Sequence, residues 1–173
     1  MDKQIKTYNV EQLVDIFSQM NQPKFRAKQL YEWLHVHQAR SYDEMTNLPL
    51  TLRQRLSEEH PLTELVVSNK QVSQDGTRKY VFSLEDGNEI EAVGIPSKES
   101  SDEDSASSTH RLTVCFSTQV GCSMECAFCA TGREGFTRNL TASEMVDQIS
   151  FIQKDFGIRV SNVVAMGQGE PFL

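Results

Sequence analysis

The sequence has no cysteine before residue 115 and none after residue 129; all four, at 115, 122, 126 and 129, fall in that one short span. A disulfide framework spreads its cysteines along the chain, so this crowding points to ligands or catalysts in a reducing compartment. There is no run of about 18 apolar residues, the least that crosses a bilayer as a helix. The first residues, MDKQIKTYNVEQ, are polar and lack the apolar core of a signal peptide. Basic residues are not in excess either: the formal charge is −7, so no pervasive positive field advertises nucleic acid. These absences together predict a cytoplasmic protein with no membrane span. What remains is a chain of 173 residues, 38% apolar and 24% charged, enough for one ordinary domain or two small ones.

Residues 1–62 read as a small helical domain. Val10, Leu13, Val14 and Phe17 recur at helix spacing, and Asn9 caps with Gln12 three residues on. Asn21-Gln22-Pro23 breaks that helix. A second follows, with Phe25, Leu30, Trp33 and Leu34 as apolar positions, and LTLRQRLSEEH makes a third, ended near Pro61. Residues 63–96 change to period two. LVVSNKQVS, RKYVFSLE and EIEAVGIP alternate as strands, with turns at Asp75-Gly76 and Asp86-Gly87-Asn88, which predicts an antiparallel meander. Residues 97–110 form an acidic, serine-rich run with only Ala106 to anchor it, the composition of a solvated linker.

From residue 111 the pattern is α/β. A buried strand over 112–118 leads into the cysteine loop, Thr141-Ala142-Ser143-Glu144 opens a helix closed by Gly157, and a second buried strand covers 160–166. Strand, loop, helix and strand make a βαβ unit, and such units imply a parallel sheet. One unit cannot cover its own sheet faces, so residues 111–173 are expected to be the start of a longer parallel α/β core.

The loop GCSMECAFCATGREGF holds Cys122, Cys126 and Cys129. Four thiolates including Cys115 would make a zinc site, but zinc knuckles come as two close pairs and here only one is present. Three thiolates suit an iron–sulfur cluster. A four-iron cubane on three protein ligands keeps one iron open, and an amino acid chelates it through amine and carboxylate. Gly121 and Gly132 are expected to supply the tight turns. After the second strand comes Gly167-Gln168-Gly169-Glu170-Pro171, where the glycines allow close approach of a ligand and a glutamate pairs with an ammonium group.

C-x3-C-x2-C with Phe128 before the last cysteine, at the end of a first strand, resembles the signature of radical S-adenosylmethionine enzymes. VCFSTQVGCSMECAFCATGREGFTRNLTASEMVDQI, VVAMGQGEPFL, PKFRAKQLYEWL, DEMTNLP and LEDGNEIEAVGIP resemble the RlmN/Cfr family of radical RNA methyltransferases over nearly the whole chain. The resemblance implies the first βαβ unit of a partial (βα)6 barrel and an RNA-binding accessory role for the helical domain. It implies methylation of adenine C2 in 23S rRNA and tRNA, a [4Fe-4S] cluster, S-adenosylmethionine and an external, flavodoxin-like electron donor. It assigns Cys122, Cys126 and Cys129 to the cluster and Gly169, Glu170 and Phe128 to the cofactor. It makes Cys115 the catalytic cysteine that releases product through disulfide formation, and Glu91 the proton acceptor.

The family carries the transferred methyl group on a cysteine near its C-terminus, and no cysteine follows Cys129 here. The chain is therefore expected to be an N-terminal fragment, inactive by itself. Two other readings stand beside this one. One is a radical enzyme with a non-RNA substrate. The other is an inactive RNA-binding module, in which Lys24, Arg26, Lys28, Arg53 and Arg55 meet phosphates.

Overall fold

The computed structural model describes residues 4–98, 110–124 and 126–173. These divide at Glu64 and Leu65 into two units.

The first unit is helical. Helix α1 (Val10–Gln19) starts at Asn9, whose side chain accepts the Gln12 N–H while Gln12 reaches back to the Asn9 N–H. That reciprocal capping box is the one legible in the sequence. The chain turns at Asn21 in the left-handed region (φ 55°) and enters α2 (Phe25–His35), then α3 (Leu50–Glu59). Leu13, Phe17, Leu30, Met45, Leu48 and Leu56 are buried together. The inward stripe of α2 is Ala27, Leu30 and Leu34, spaced three and four apart; Phe25, expected in the core, starts the helix off that stripe and is exposed. The basic side chains are largely used within the unit. Arg26 donates to the Asn47 carbonyl (2.7 Å), Arg53 to the Asp43 carbonyl (2.9 Å), and Arg55 pairs with Glu59 (2.7 Å).

The second unit is built on one mixed sheet. Strands β1 (Val66–Val72), β2 (Arg78–Ser83), β3 (Glu89–Lys98) and β4 (His110–Cys115) are antiparallel neighbours in chain order. A two-stranded ribbon follows, β5 (Gln119–Gly121) with β6 (Phe136–Asn139), then helix α4 (Ala142–Phe156) and β7 (Asn162–Val164). Strand β7 lies parallel to β4, with Val114 opposite Val163, which completes the expected βαβ unit. Helix α4 begins in a Thr141/Glu144 capping box and ends at Gly157 in the left-handed conformation (φ 65°).

Several sequence boundaries move. The strands expected over 112–118 and 160–166 run over His110–Cys115 and Asn162–Val164, and the second is not buried, with Val163 52% exposed. The meander and the core do not stand apart, because the free edge of β3 pairs with β4 from Val93↔Cys115 to Lys98↔His110. The same ladder takes Ser97, Lys98 and His110 out of the expected linker; residues 99–109 lie outside the described residues.

Helix α4 covers one face of this sheet. Tyr80, Phe82, Ile90, Ala92, Leu112, Val114 and Ile152 form its core, with Phe151 edge-on to both Tyr80 and Phe82. Gly94 has no room for a side chain: a Cβ there would lie 2.5 Å from the Phe156 ring and 2.7 Å from Ile152. Near the C-terminal end of α4, Asp155 receives Lys70 (2.7 Å), Arg78 (2.6 Å) and the Tyr80 hydroxyl (2.6 Å), which ties β1 and β2 to the helix. Partial burial would raise the Asp155 carboxyl, but those three donors outweigh it and hold the pKa at about 2.

Candidate functional site at the ends of two parallel strands

Alternation fixes which residues face away from α4. One row crosses the sheet as Gln71, Lys79, Val93, Cys115 and Val164, each opposite the next. Glu91 stands two residues before Val93 and shares that face. It is diagonal to Cys115, a separation of about 7–8 Å in an antiparallel pair. Lys79 Nζ lies 2.6 Å from Glu91 Oε1.

The cysteine loop is the tip of the β5–β6 ribbon. Gly121 takes φ 73°, and a Cβ on it would be driven into the Gly135 carbonyl oxygen. That oxygen accepts the Cys122 N–H at 2.9 Å and closes the loop. The second left-handed glycine is Gly135 (φ 78°), not Gly132, which sits in a 3-10 turn over Thr131–Arg133. Cys122 is buried, while Cys126, Cys129 and Cys115 are half-buried, and all four are free thiols. The Cys129 N–H donates to the Cys126 carbonyl at 3.0 Å. Backbone N–H groups of Gly132 and Thr131 lower the pKa of the Cys129 thiol by stabilising its thiolate. Phe128 is 93% exposed.

Arg138 anchors the ribbon. Its Nε meets Asp86 in the β2–β3 turn (2.6 Å), and its two Nη groups grip Glu144 at the start of α4 (2.9 and 2.8 Å). Arg138 holds the Asp86 carboxyl at about pKa 2. Burial opposes the Glu144 carboxylate, yet Arg138 and the Thr141 N–H keep its pKa below the usual range.

The segment from Gly167 to Glu170 folds back onto the turn after β4. The Gln168 carbonyl accepts N–H groups from Thr118 (2.9 Å) and Gln119 (3.3 Å), and Gly167 N–H reaches the Phe116 carbonyl (3.0 Å). A Cβ on Gly167 would lie 2.7 Å from the Ser117 nitrogen, and one on Gly169 (φ 104°) 2.6 Å from Gln119 Cβ. These glycines therefore let two chain segments touch. Glu170 takes the Phe172 N–H on its carboxylate at 3.2 Å.

Sequence reasoning missed the buried polar side chains that make this junction. Ser117 Oγ donates to the Glu91 carbonyl (2.6 Å) and accepts the Gln168 N–H (2.8 Å). Gln148 of α4 brackets Ser117, accepting its N–H (2.9 Å) and donating to its carbonyl (3.1 Å). Gln119 accepts the Glu170 N–H (3.0 Å) and donates to Asn139 (2.8 Å). A polar Ser-Thr-Gln between an apolar strand and a glycine gives no periodic signal; only burial shows its purpose.

Among the described residues, no three His, Cys, Asp or Glu side chains converge closely enough to hold a single metal ion. A cubane spreads its ligand sulfurs more widely than one ion does, and the donor set of Cys122, Cys126 and Cys129 has the softness iron–sulfur clusters need. Gln168 Oε1 is buried with no hydrogen-bond partner among the described residues, the sort of acceptor that an ammonium donor would satisfy. The residues present fit a cluster with an amino-acid ligand beside it.

Comparison with known proteins finds relatives that cover nearly the whole chain. Residues 4–61 match the family described as the ribosomal RNA large subunit methyltransferase N-terminal domain. The chain is 46% identical over 165 residues to the probable dual-specificity RNA methyltransferase RlmN of Synechocystis, covering 95% of this chain and 44% of that one. It is 48% identical over 162 residues to the dual-specificity RNA methyltransferase RlmN of Campylobacter fetus, covering 91% and 46% respectively. A crystal structure of a radical SAM methyltransferase from Sphaerobacter thermophilus superposes with a TM-score of 0.83 at 39% identity, covering 98% of this chain and 48% of that one. The chain thus spans somewhat under half the length of the relatives it matches. In sequence and in fold it is similar to one part, somewhat under half, of RlmN-type radical SAM methyltransferases, and residues 4–61 match the N-terminal domain of that family.

Proposed function

We propose that this chain forms part of an enzyme that methylates C2 of adenine in 23S rRNA and in tRNA, working in the cytoplasm with an external, flavodoxin-like electron donor. The observation that carries the reading is the meeting of the two candidate segments. The three-thiol loop follows β4, the Gly-Gln-Gly-Glu segment follows β7, and the two strands are parallel neighbours whose carboxyl ends lie side by side. Ligands of open parallel sheets bind at such ends. No helix of the described residues is long and apolar enough to cross a membrane.

In this reading Cys122, Cys126 and Cys129 hold a [4Fe-4S] cluster, and Gly169 and Glu170 bind the methionine amine of S-adenosylmethionine, with Phe128 beside it. Together that pair would supply hydrogen-atom abstraction from the methyl group carried on a cysteine, the radical route that adenine C2 needs because it is not nucleophilic and polar methyl transfer does not reach it. Glu91 accepts the C2 proton. Cys115, on the same face, releases the product by forming a disulfide with the methyl-carrying cysteine, which is not among these residues. The helical unit takes part in RNA binding.

Deleting the gene should remove 2-methyladenosine from the host's 23S rRNA and tRNA, and restoring it should bring the nucleoside back, both read by mass spectrometry of digested RNA. Persistence of 2-methyladenosine after deletion would end the reading.

A further inference from the structure

Gln119 occupies a position that the assignments above leave unused. It is the first residue of β5, and it is buried, 2% exposed. Such a buried amide has four hydrogen-bonding capacities to satisfy, and it is kept where its partners are fixed. Its Oε1 takes the N–H of Glu170, and its Nε2 donates to Asn139 Oδ1 at the foot of β6. Its own backbone N–H reaches the Gln168 carbonyl at 3.3 Å. Gly169 lies so close that a Cβ on it would stand 2.6 Å from Gln119 Cβ. One side chain therefore spans from the ribbon that carries the cysteine loop to the segment that carries Glu170. No other described side chain bonds both, since Ser117 bonds Glu91 and Gln168 but not the ribbon.

We propose that Gln119 is a positioning residue that sets the distance between Glu170 and the cysteine loop, and so presents the methionine end of S-adenosylmethionine to the cluster. The inference rests on the function proposed above. Without the bridge the backbone bonds to the Gln168 carbonyl remain, but Glu170 beyond them loses its tie to the ribbon.

The test uses the full chain reconstituted with iron and sulfide, with S-adenosylmethionine as the probe. Gln119→Met keeps the length and removes both bonds; Gln119→Glu keeps an acceptor for the Glu170 N–H and serves as the conservative variant. In Gln119→Met, hydrogen exchange at the Glu170 amide should quicken and the dissociation constant for S-adenosylmethionine should rise roughly tenfold, the scale of a buried bond lost from a fixed site. Iron content should stay at the wild-type level. Gln119→Glu should recover most of the protection at Glu170 and part of the affinity. A Gln119→Met chain that loads iron and binds S-adenosylmethionine as tightly as wild type would overturn the inference alone. A wild-type chain that loads iron but binds no S-adenosylmethionine would end the underlying reading, and the inference with it. Should Gln119→Met fail to fold, Asn139→Ala severs only the ribbon side. It should weaken binding in the same direction, and unchanged affinity there would likewise overturn the proposal.

Discussion

Glu91 and Cys115 stand on one face of the sheet, diagonal to each other across the β3–β4 ladder, and Ser117 Oγ holds the Glu91 carbonyl just beyond the end of β4. Neither belongs to the cysteine loop. Cys115→Ala should therefore load as much iron as wild type, about four per chain for a cubane, while Cys126→Ala should lose most of it. Iron analysis and the visible spectrum of the reconstituted chain decide this. Loss of iron in Cys115→Ala would make Cys115 a ligand instead.

Gly121 is the hinge of the cysteine loop. In Gly121→Ala the left-handed backbone costs about 1–2 kcal/mol before the methyl group meets the Gly135 carbonyl oxygen. The Cys122–Gly135 hydrogen bond should open, seen as faster exchange at the Cys122 amide, and iron uptake should fall. The rest of the sheet should keep its exchange protection. Gly87→Ala is the control: it has a similar φ of 81° but nothing within 4 Å of its Cβ, so it should leave the loop intact.

The Asp155 cluster makes the sheet unit acid-sensitive. The native pKa of Asp155, about 2, lies below its ordinary value of 3.8. Its contribution is therefore complete above about pH 4 and disappears as pH falls towards 2. Urea unfolding of wild type should show stability dropping through that window. Asp155→Asn should be less stable at pH 7, by about 1.5–3 kcal/mol for charged hydrogen bonds lost, and should converge on wild type near pH 2. Equal pH slopes in the two proteins would remove Asp155 as the cause.

The helical unit has its own core, with Leu13, Phe17, Leu30 and Leu56 fully buried. Residues 1–64 expressed alone should keep a helical circular dichroism spectrum and melt cooperatively. Phe17→Ala should cost about 3–5 kcal/mol, most of what a unit of this size holds, and leave it unfolded at room temperature.

Legibility from sequence followed the strength of the local signal. Asn9 with Gln12, Thr141 with Glu144, and Gly157 announced helix ends because capping uses fixed residue types at fixed offsets. The three meander strands showed in their alternation and in the turns at Gly76 and Gly87. The β5–β6 ribbon did not show: β5 is three residues long and β6 four, too short for a period to register. Nor did the union of meander and core, because pairing β3 with β4 depends on an edge needing a partner and not on either strand's own residues. The candidate cysteines and the glycine segment were legible as motifs. Ser117, Gln119, Gln148 and Arg138, which hold those motifs in place, were not, since each is identified by the contacts the fold gives it.

The row that runs from Gln71 to Val164 decides where this chain tolerates a change of length. Side chains on a strand alternate, so removing one residue between Leu112 and Cys115 would bring both to one face, and with Leu112 kept in the core the thiol would turn into the packed side beside Ile152. A change of length outside the ladder that runs from Val93↔Cys115 to Lys98↔His110 leaves that parity untouched, because the ladder sets the register on its own. An engineered change of length that is to leave Cys115 aimed as it is therefore stays outside both strands of that ladder.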